Sequence, residues 1–282
     1  MKKFIFTSLF ICLFSPVFAL SLGDNYTHSS KFWRNNVSAY VPVAYPIIVG
    51  AEFDITEHDD FDNHIYEFRL PFSLETDDFM FSAVPFVLPD NANGSYAYGG
   101  KLLLSTGLKV NEIDLTATEG HIAVSAVSQK AGVLKNDIYT EKDTFAQVAY
   151  EAGITANYFG AFKLSVSGNV FQFLSGLEGV QGIRGVFNQA ELADFGTIDY
   201  ILGLPRGSAG AKIVWTSQES QTESFISYRY INMHEASTRH SLLVSTNIHI
   251  NQRAALNFSY NHIFMRKETD RDLFSAGVNI GI

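Results

Sequence analysis

Histidine, serine and carboxylate residues gather at three places where their spacing can be tested for chemistry. His28-Ser29-Ser30 sets a histidine and a serine two apart, the spacing that puts a base and a nucleophile on one face of a strand. The surrounding stretch, Ser21 to Lys31, is polar and reads as a leader outside any strand, so this pair lacks a scaffold. His240 and Ser241 are direct neighbours, and neighbours on a strand point to opposite faces. Glu57-His58-Asp59-Asp60, continuing through Asp62, Asn63 and His64, offers oxygen and imidazole ligands of the kind that suit a divalent cation. It lacks the fixed spacing and the sharp-turn glycine of a calcium loop, and a solvated acidic turn over Glu57 to Asn63 is the commoner outcome. No catalytic residue, cofactor site or metal site is assigned to any of these groups.

A larger set of charged residues is organised by alternation. Ile47, Val49, Ala51, Phe53 and Ile55 share one face of an extended segment, and Glu52 and Asp54 lie on the other. In His64 to Phe72, Tyr66, Phe68, Leu70 and Phe72 oppose Glu67 and Arg69. Thr144 to Thr155 sets Ala146, Val148, Tyr150, Ala152 and Ile154 against Gln147 and Glu151. Phe162, Leu164 and Val166 oppose Lys163, while Ala211, Ile213 and Trp215 oppose Lys212. The last quarter of the chain repeats the pattern. Leu242, Val244, Ile248 and Ile250 face away from His249; Leu256, Phe258, Tyr260 and Phe264 face away from Asn257, Ser259 and Asn261. In the final strand Phe274, Ala276, Val278, Ile280 and Ile282 oppose Ser275, Gly277, Asn279 and Gly281. Arg229 falls on the polar face in the same way.

Further strands are expected at Asn36 to Val43 (interrupted by Pro42), Phe79 to Leu88 (weakened by Pro85), Tyr96 to Ser105, Leu108 to Thr118 and His121 to Ser128. Lys130 to Asp143 reads as the longest polar connection, about fourteen residues. The glycine-rich stretch Leu174 to Gly207 is expected to hold a short helical turn over Gln189 to Asp194 and a strand over Thr197 to Leu204. Either region is placed to fold inward as a constriction. His121 and His262 read as strand residues at an interfacial or loop level, and Trp33 and Trp215 as members of aromatic girdles.

The N-terminus has the layout of a secretory signal. Lys2 and Lys3 form a basic start, Phe4 to Phe14 an apolar run, and Val17-Phe18-Ala19 a cleavage site, so the mature chain is expected to span 20–282 as one domain. Cys12, the only cysteine, lies in the segment removed, which excludes disulfides, thiolate catalysis and cysteine-ligated metals. The chain has 20 basic and 29 acidic residues; losing two lysines leaves 18 − 29 = −11, a balance that does not suit nucleic acid.

Strands of roughly ten alternating residues match the length needed to cross a bilayer as a tilted strand, longer than the five or six usual in soluble sheets. With the leader and the aromatic content, these segments resemble the transmembrane β-barrels of bacterial outer membranes, from about Asn36 to Ile282. The final strand departs from that class in ending on Ile282 where an aromatic is usual; Phe274 lies earlier in it. The resemblance implies an all-β, antiparallel up-and-down barrel of about 14 strands, within a range of about 12 to 16. It implies outer-membrane lipids and the barrel-assembly machinery as partners, and porin-like diffusion of small solutes as the function. Glu52, Asp54, Glu67, Arg69, Glu151, Lys163, Lys212, Arg229 and His249 are then expected to face the lumen, because a charge on the lipid face is costly.

Two other classes compete. A closed structural or anchoring barrel pairs these charges with one another; long displayed loops, its other mark, are not expected. An outer-membrane lipase or protease needs a His–Ser pair or paired acids with His–Asp at the outer rim, which none of the three clusters supplies on a strand.

Overall fold

The computed structural model describes residues 20–30, 32–58, 64–89, 96–108, 118–135, 138–158, 162–175, 182–184, 205–217, 221–233, 238–265 and 270–281. The leader (1–19), the acidic run 59–63, the helical turn expected at Gln189 to Asp194 and the strand expected at Thr197 to Leu204 lie outside these residues. Among the described residues no helix is long and apolar enough to cross a membrane, which says nothing of strands.

The chain enters as β1 (Ser21–His28), β2 (Phe32–Ala44) and β3 (Ile47–His58). It continues through β4 (Ile65–Arg69), β5 (Phe72–Glu75), β6 (Phe79–Leu88) and β7 (Tyr96–Leu108). The longest pair follows, β8 (Thr118–Lys135) and β9 (Ile138–Tyr158), then β10 (Phe162–Ser175) and the short β11 (Gly182–Arg184). β12 (Pro205–Ser217), β13 (Thr222–Met233), β14 (Thr238–Asn251), β15 (Ala254–Met265) and β16 (Arg271–Gly281) complete the wall.

β4 and β5 form one stave. Arg69 pairs with Phe86 and Phe72 with Ala83, so the register runs on without a slip across Leu70-Pro71. The interruption falls where Pro71 and Pro85 each remove a ladder donor. Their carbonyls still accept, from Gly50 N at 2.7 Å and Leu70 N at 3.0 Å. With β4 and β5 joined and β11 set aside, 14 antiparallel staves close on themselves. β8 pairs β9, and β1 pairs β16, so no wall edge is left open. The stave number matches expectation.

Three expectations about the chain are corrected. Ser21 to Lys31 is not a leader: Ser21–His28 is β1, hydrogen-bonded to β16 on one side and β2 on the other. Its polar residues sit at the seam between the first and last staves, where ladder pairing outweighs propensity. Lys130 to Asp143 is not a connection, because β8 and β9 continue past the wall as a ladder pairing Val133 with Thr140, Leu134 with Tyr139 and Lys135 with Ile138. The β-branched, aromatic and leucine residues there favour the pleated pair despite the mixed charges around them. β11 pairs with Gly132 to Leu134 on the far edge of that ladder. The acidic turn is also shorter than expected, since β3 runs on through His58.

The wall has two chemically different faces. Tyr66, Phe68, Leu70, Tyr150, Ile154, Leu164, Val166, Ile213, Phe258, Phe264 and Phe274 are exposed on the outer face, as a lipid-facing surface requires. Aromatics concentrate near its ends. Trp33 stacks 6.3 Å from Tyr26 and lies 5.8 Å from His64 at the end with longer connections, and Trp215 sits at the end with tight turns.

Candidate functional site

The inner wall is built by register. On β3, alternation puts Glu52, Asp54 and Thr56 inward. β2 brings Ser38 opposite Glu52, Asn36 opposite Asp54 and Arg34 opposite Thr56. β4 brings Arg69 opposite Glu52 and Glu67 opposite Asp54. Cross-strand pairs stand within side-chain reach, so three carboxylates and two guanidiniums meet. Arg34 Nε donates to Asp54 Oδ1, and Asn36 Nδ2 donates to the same oxygen at 3.1 Å. Arg69 Nη1 lies 3.3 Å from both Asp54 Oδ2 and Glu52 Oε2, and Arg69 Nε donates to Glu67 Oε1 at 2.9 Å. The Tyr40 hydroxyl donates to Glu52 Oε1. Asp54 is buried; Arg34, Arg69 and Glu52 keep part of their surface open.

A second polar group lies on β8 to β10. His121 Nε2, on the fourth residue of β8, bonds Glu151 Oε1 at 2.9 Å, which puts the imidazole on the inner face. Gly153 makes this possible: a Cβ there would stand 2.2 Å from His121 Cε1 and 2.7 Å from Ser167 Cβ. The imidazole lies over the bare backbone. The Glu151 Oε2 atom, by contrast, is buried without a hydrogen bond. Ser208 donates to Asn169 at 2.8 Å and Ser241 to Asn261 at 2.7 Å, while Gln129 donates to Gln147 at 3.2 Å farther along β8 and β9, beyond Val127 and Ala149.

The remaining expected residues sit apart from these clusters. Arg229 is fully buried on β13. Lys212 places Nζ 4.4 Å above the Phe225 ring. Lys163 and His249 are exposed near the tight-turn end.

Above the polar belt, toward the longer connections, the inner face turns apolar. Ile65, Phe86, Leu88, Ala97, Val127, Ala149 and Phe171 form one buried cluster; Ile263, Met265 and Leu273 form another, and Ile231 packs with Met233. Phe145 is buried in the same layer. Alternation alone assigns inward positions to polar residues and does not anticipate this collar. Arg34 also went unassigned, because the second strand was expected to start at Asn36; its alternation with Asn36, Ser38 and Tyr40 was the available signal.

The catalytic alternatives do not gather into a site. His28 lies on β1 and stacks on Tyr26 at 6.5 Å, while Ser30 follows the strand. His240 turns to Tyr228, with 2.5 Å between Nδ1 and the hydroxyl. Glu57 accepts from Trp33 Nε1 at 2.8 Å and lies 3.3 Å from His64 Nδ1, an outward rim arrangement. Among the described residues no group of three or more metal-type ligands converges.

No protein-family model and no curated protein matches the sequence. Solved structures do. The chain is similar to the CymD monoaromatic hydrocarbon channel, with TM-score 0.55 and 10% identity over 94% of this chain and 88% of that one. It is also similar to OccAB1 of Acinetobacter baumannii, with TM-score 0.51 and 8% identity over 94% and 96%. At these identities the likeness is one of fold, a barrel of the outer-membrane type.

Proposed function

We propose that this barrel is an outer-membrane channel through which small solutes diffuse passively. The observation that carries the reading is the distribution of charge on the inner wall. Glu52 and Asp54 on β3 lie seven staves from Lys212 on β12, and Glu67 on β4 lies seven staves from Arg229 on β13. In a wall of 14 staves these positions are diametrically opposed. An acidic arc therefore faces a basic one, with Arg34 and Arg69 neutralising much of the acidic side. Such a lumen favours dipolar solutes over ions of either sign. Lys163 and His249 widen the polar approach at the tight-turn end, the periplasmic end by the usual orientation of such barrels. The leader 1–19 directs export and is removed, and the folded chain contacts outer-membrane lipids after the assembly machinery inserts it. The fold shared with the CymD monoaromatic hydrocarbon channel is consistent with this role.

A closed anchoring barrel is the second reading, and the apolar collar favours it, since Leu273 and Phe145 are almost wholly buried where an open mouth would wet them. Swelling of proteoliposomes separates the two. A channel admits a zwitterionic amino acid faster than a neutral sugar of similar size. Swelling no faster than in protein-free liposomes, with insertion verified, contradicts the channel.

A further inference from the structure

Among the described residues, the outer face carries one carboxylate halfway up the wall. Asp24 is the fourth of the eight residues of β1 and pairs in register with Val37 and Val278. It shares its face with exposed Tyr26, opposite buried Thr27, so it points toward the bilayer. Asn35, also outward, donates Nδ2 to Asp24 Oδ1 at 2.7 Å; its other near acceptor, the Asn25 carbonyl, is 3.4 Å away. Asp24 Oδ2 takes no hydrogen bond among the described residues. The outward-facing Glu57, His64, His262 and Asp272 all lie at the ends of their strands, within reach of water. Across the strands Asp24 is flanked by Val37, Ala39, Ala276 and Val278, while Leu22 and the exposed Tyr26 stand before and after it on β1.

A carboxylate facing hydrocarbon at this depth is destabilising, and hydrocarbon offers it no donor. A lipid phosphate offers only like charge. A second copy of this chain offers an amide at the right height, because the bilayer holds both copies upright about an axis along its normal. Asp24 Oδ1 and Asn35 Nδ2 are only 2.7 Å apart, so their heights differ by no more than that. The patch is thus self-complementary: acceptor meets donor in both directions across a symmetric contact.

We propose that the outer face of β16, β1, β2 and β3 is an interface between copies of this chain, with the Asp24 carboxylate of one accepting from the Asn35 amide of the other. The short side chains of Val37, Ala39, Ala276 and Val278 leave room for that bond between the larger Tyr26 and Ile280. The inference is independent of what passes through the lumen.

Site-directed cross-linking in outer membranes tests it, in a Cys12→Ser background. Single cysteines are placed at Val37→Cys and Val278→Cys in the patch, and at Val166→Cys on β10, seven staves from β2. Folding of each is checked by heat-dependent gel mobility, with Ala39→Cys replacing any variant that does not fold. A short bismaleimide is expected to link chains at the patch positions and to leave the Val166 variant single. The detergent-extracted protein is expected at twice the single-chain mass. Adding Asn35→Ala to Val37→Cys is expected to lower the linked fraction severalfold. Equal linkage at all three sites, or no linkage at the patch with a single-chain mass, overturns the interface. An unchanged linked fraction in the Asn35→Ala variant overturns the assigned hydrogen bond.

Discussion

Arg69 Nη1 stands 3.3 Å from Asp54 Oδ2, so one guanidinium on β4 bridges to a carboxylate that β3 has withdrawn almost wholly from water. The same group reaches Glu52 and Glu67, and Arg34 is the second guanidinium bonded to this cluster. Arg69→Met is expected to destabilise the barrel by about 3 kcal/mol, the low end for breaking a buried ion pair because Arg69 keeps some water contact. Urea unfolding in lipid measures this. The reversal potential in a salt gradient is expected to move toward cation preference.

The two faces of the wall should respond oppositely to charge. Lysine at Val148, Ile213 or Phe258 is expected to cost about 2–4 kcal/mol where the position lies near the midplane. Lysine at Ser165, Ser259 or Asn279 is expected to be tolerated. Folding yield into vesicles reads both sets, and equal losses would contradict the face assignment.

Gly153 is spacing for His121. Gly153→Val is expected to displace the imidazole from Glu151 and to lower stability by about 1–3 kcal/mol, as overpacking does. Combining it with His121→Ala removes the clash and should recover part of the loss. No recovery would mean that Ser167, the other near neighbour, is the obstacle.

β1 is structural. Deleting residues 20–30 leaves β2 and β16 as open edges in hydrocarbon, and the chain is expected to lose heat-dependent mobility and protease resistance altogether. A truncated chain that still folds would contradict the pairing of Ser21–His28 with both neighbours.

Much of this architecture was legible in the residues because a strand repeats every two positions. Ile47 to Thr56, Thr144 to Thr155 and Leu273 to Gly281 sort their side chains cleanly, and counting such segments bounds the stave number at 12 to 16. Pairing is a different kind of information. His121 and Glu151 are 30 positions apart, and only the β8–β9 register brings them together. Arg34 joined Asp54 for the same reason. Polar segments misled in the other direction: Ser21 to Lys31 and Lys130 to Asp143 read as irregular, yet ladder hydrogen bonds hold Ser21–His28 in β1 and pair the ends of β8 and β9. The apolar collar was invisible to alternation because Ile65, Met265 and Leu273 are hydrophobic on the inward face, where the lipid-facing rule makes no demand. Gly153 and the prolines at 71 and 85 show the complementary lesson, that a residue's role depends on which neighbour the register supplies.

The central claim is that the lumen conducts. Single-channel recording of the refolded mature protein in a planar bilayer, with insertion verified by protease protection, tests it most directly. Discrete, reproducible steps whose reversal potential shifts on Arg69→Met are the expected result. An inserted protein that stays silent would contradict the channel and leave the closed barrel, its mouth sealed by the collar of Ile65, Phe145 and Leu273.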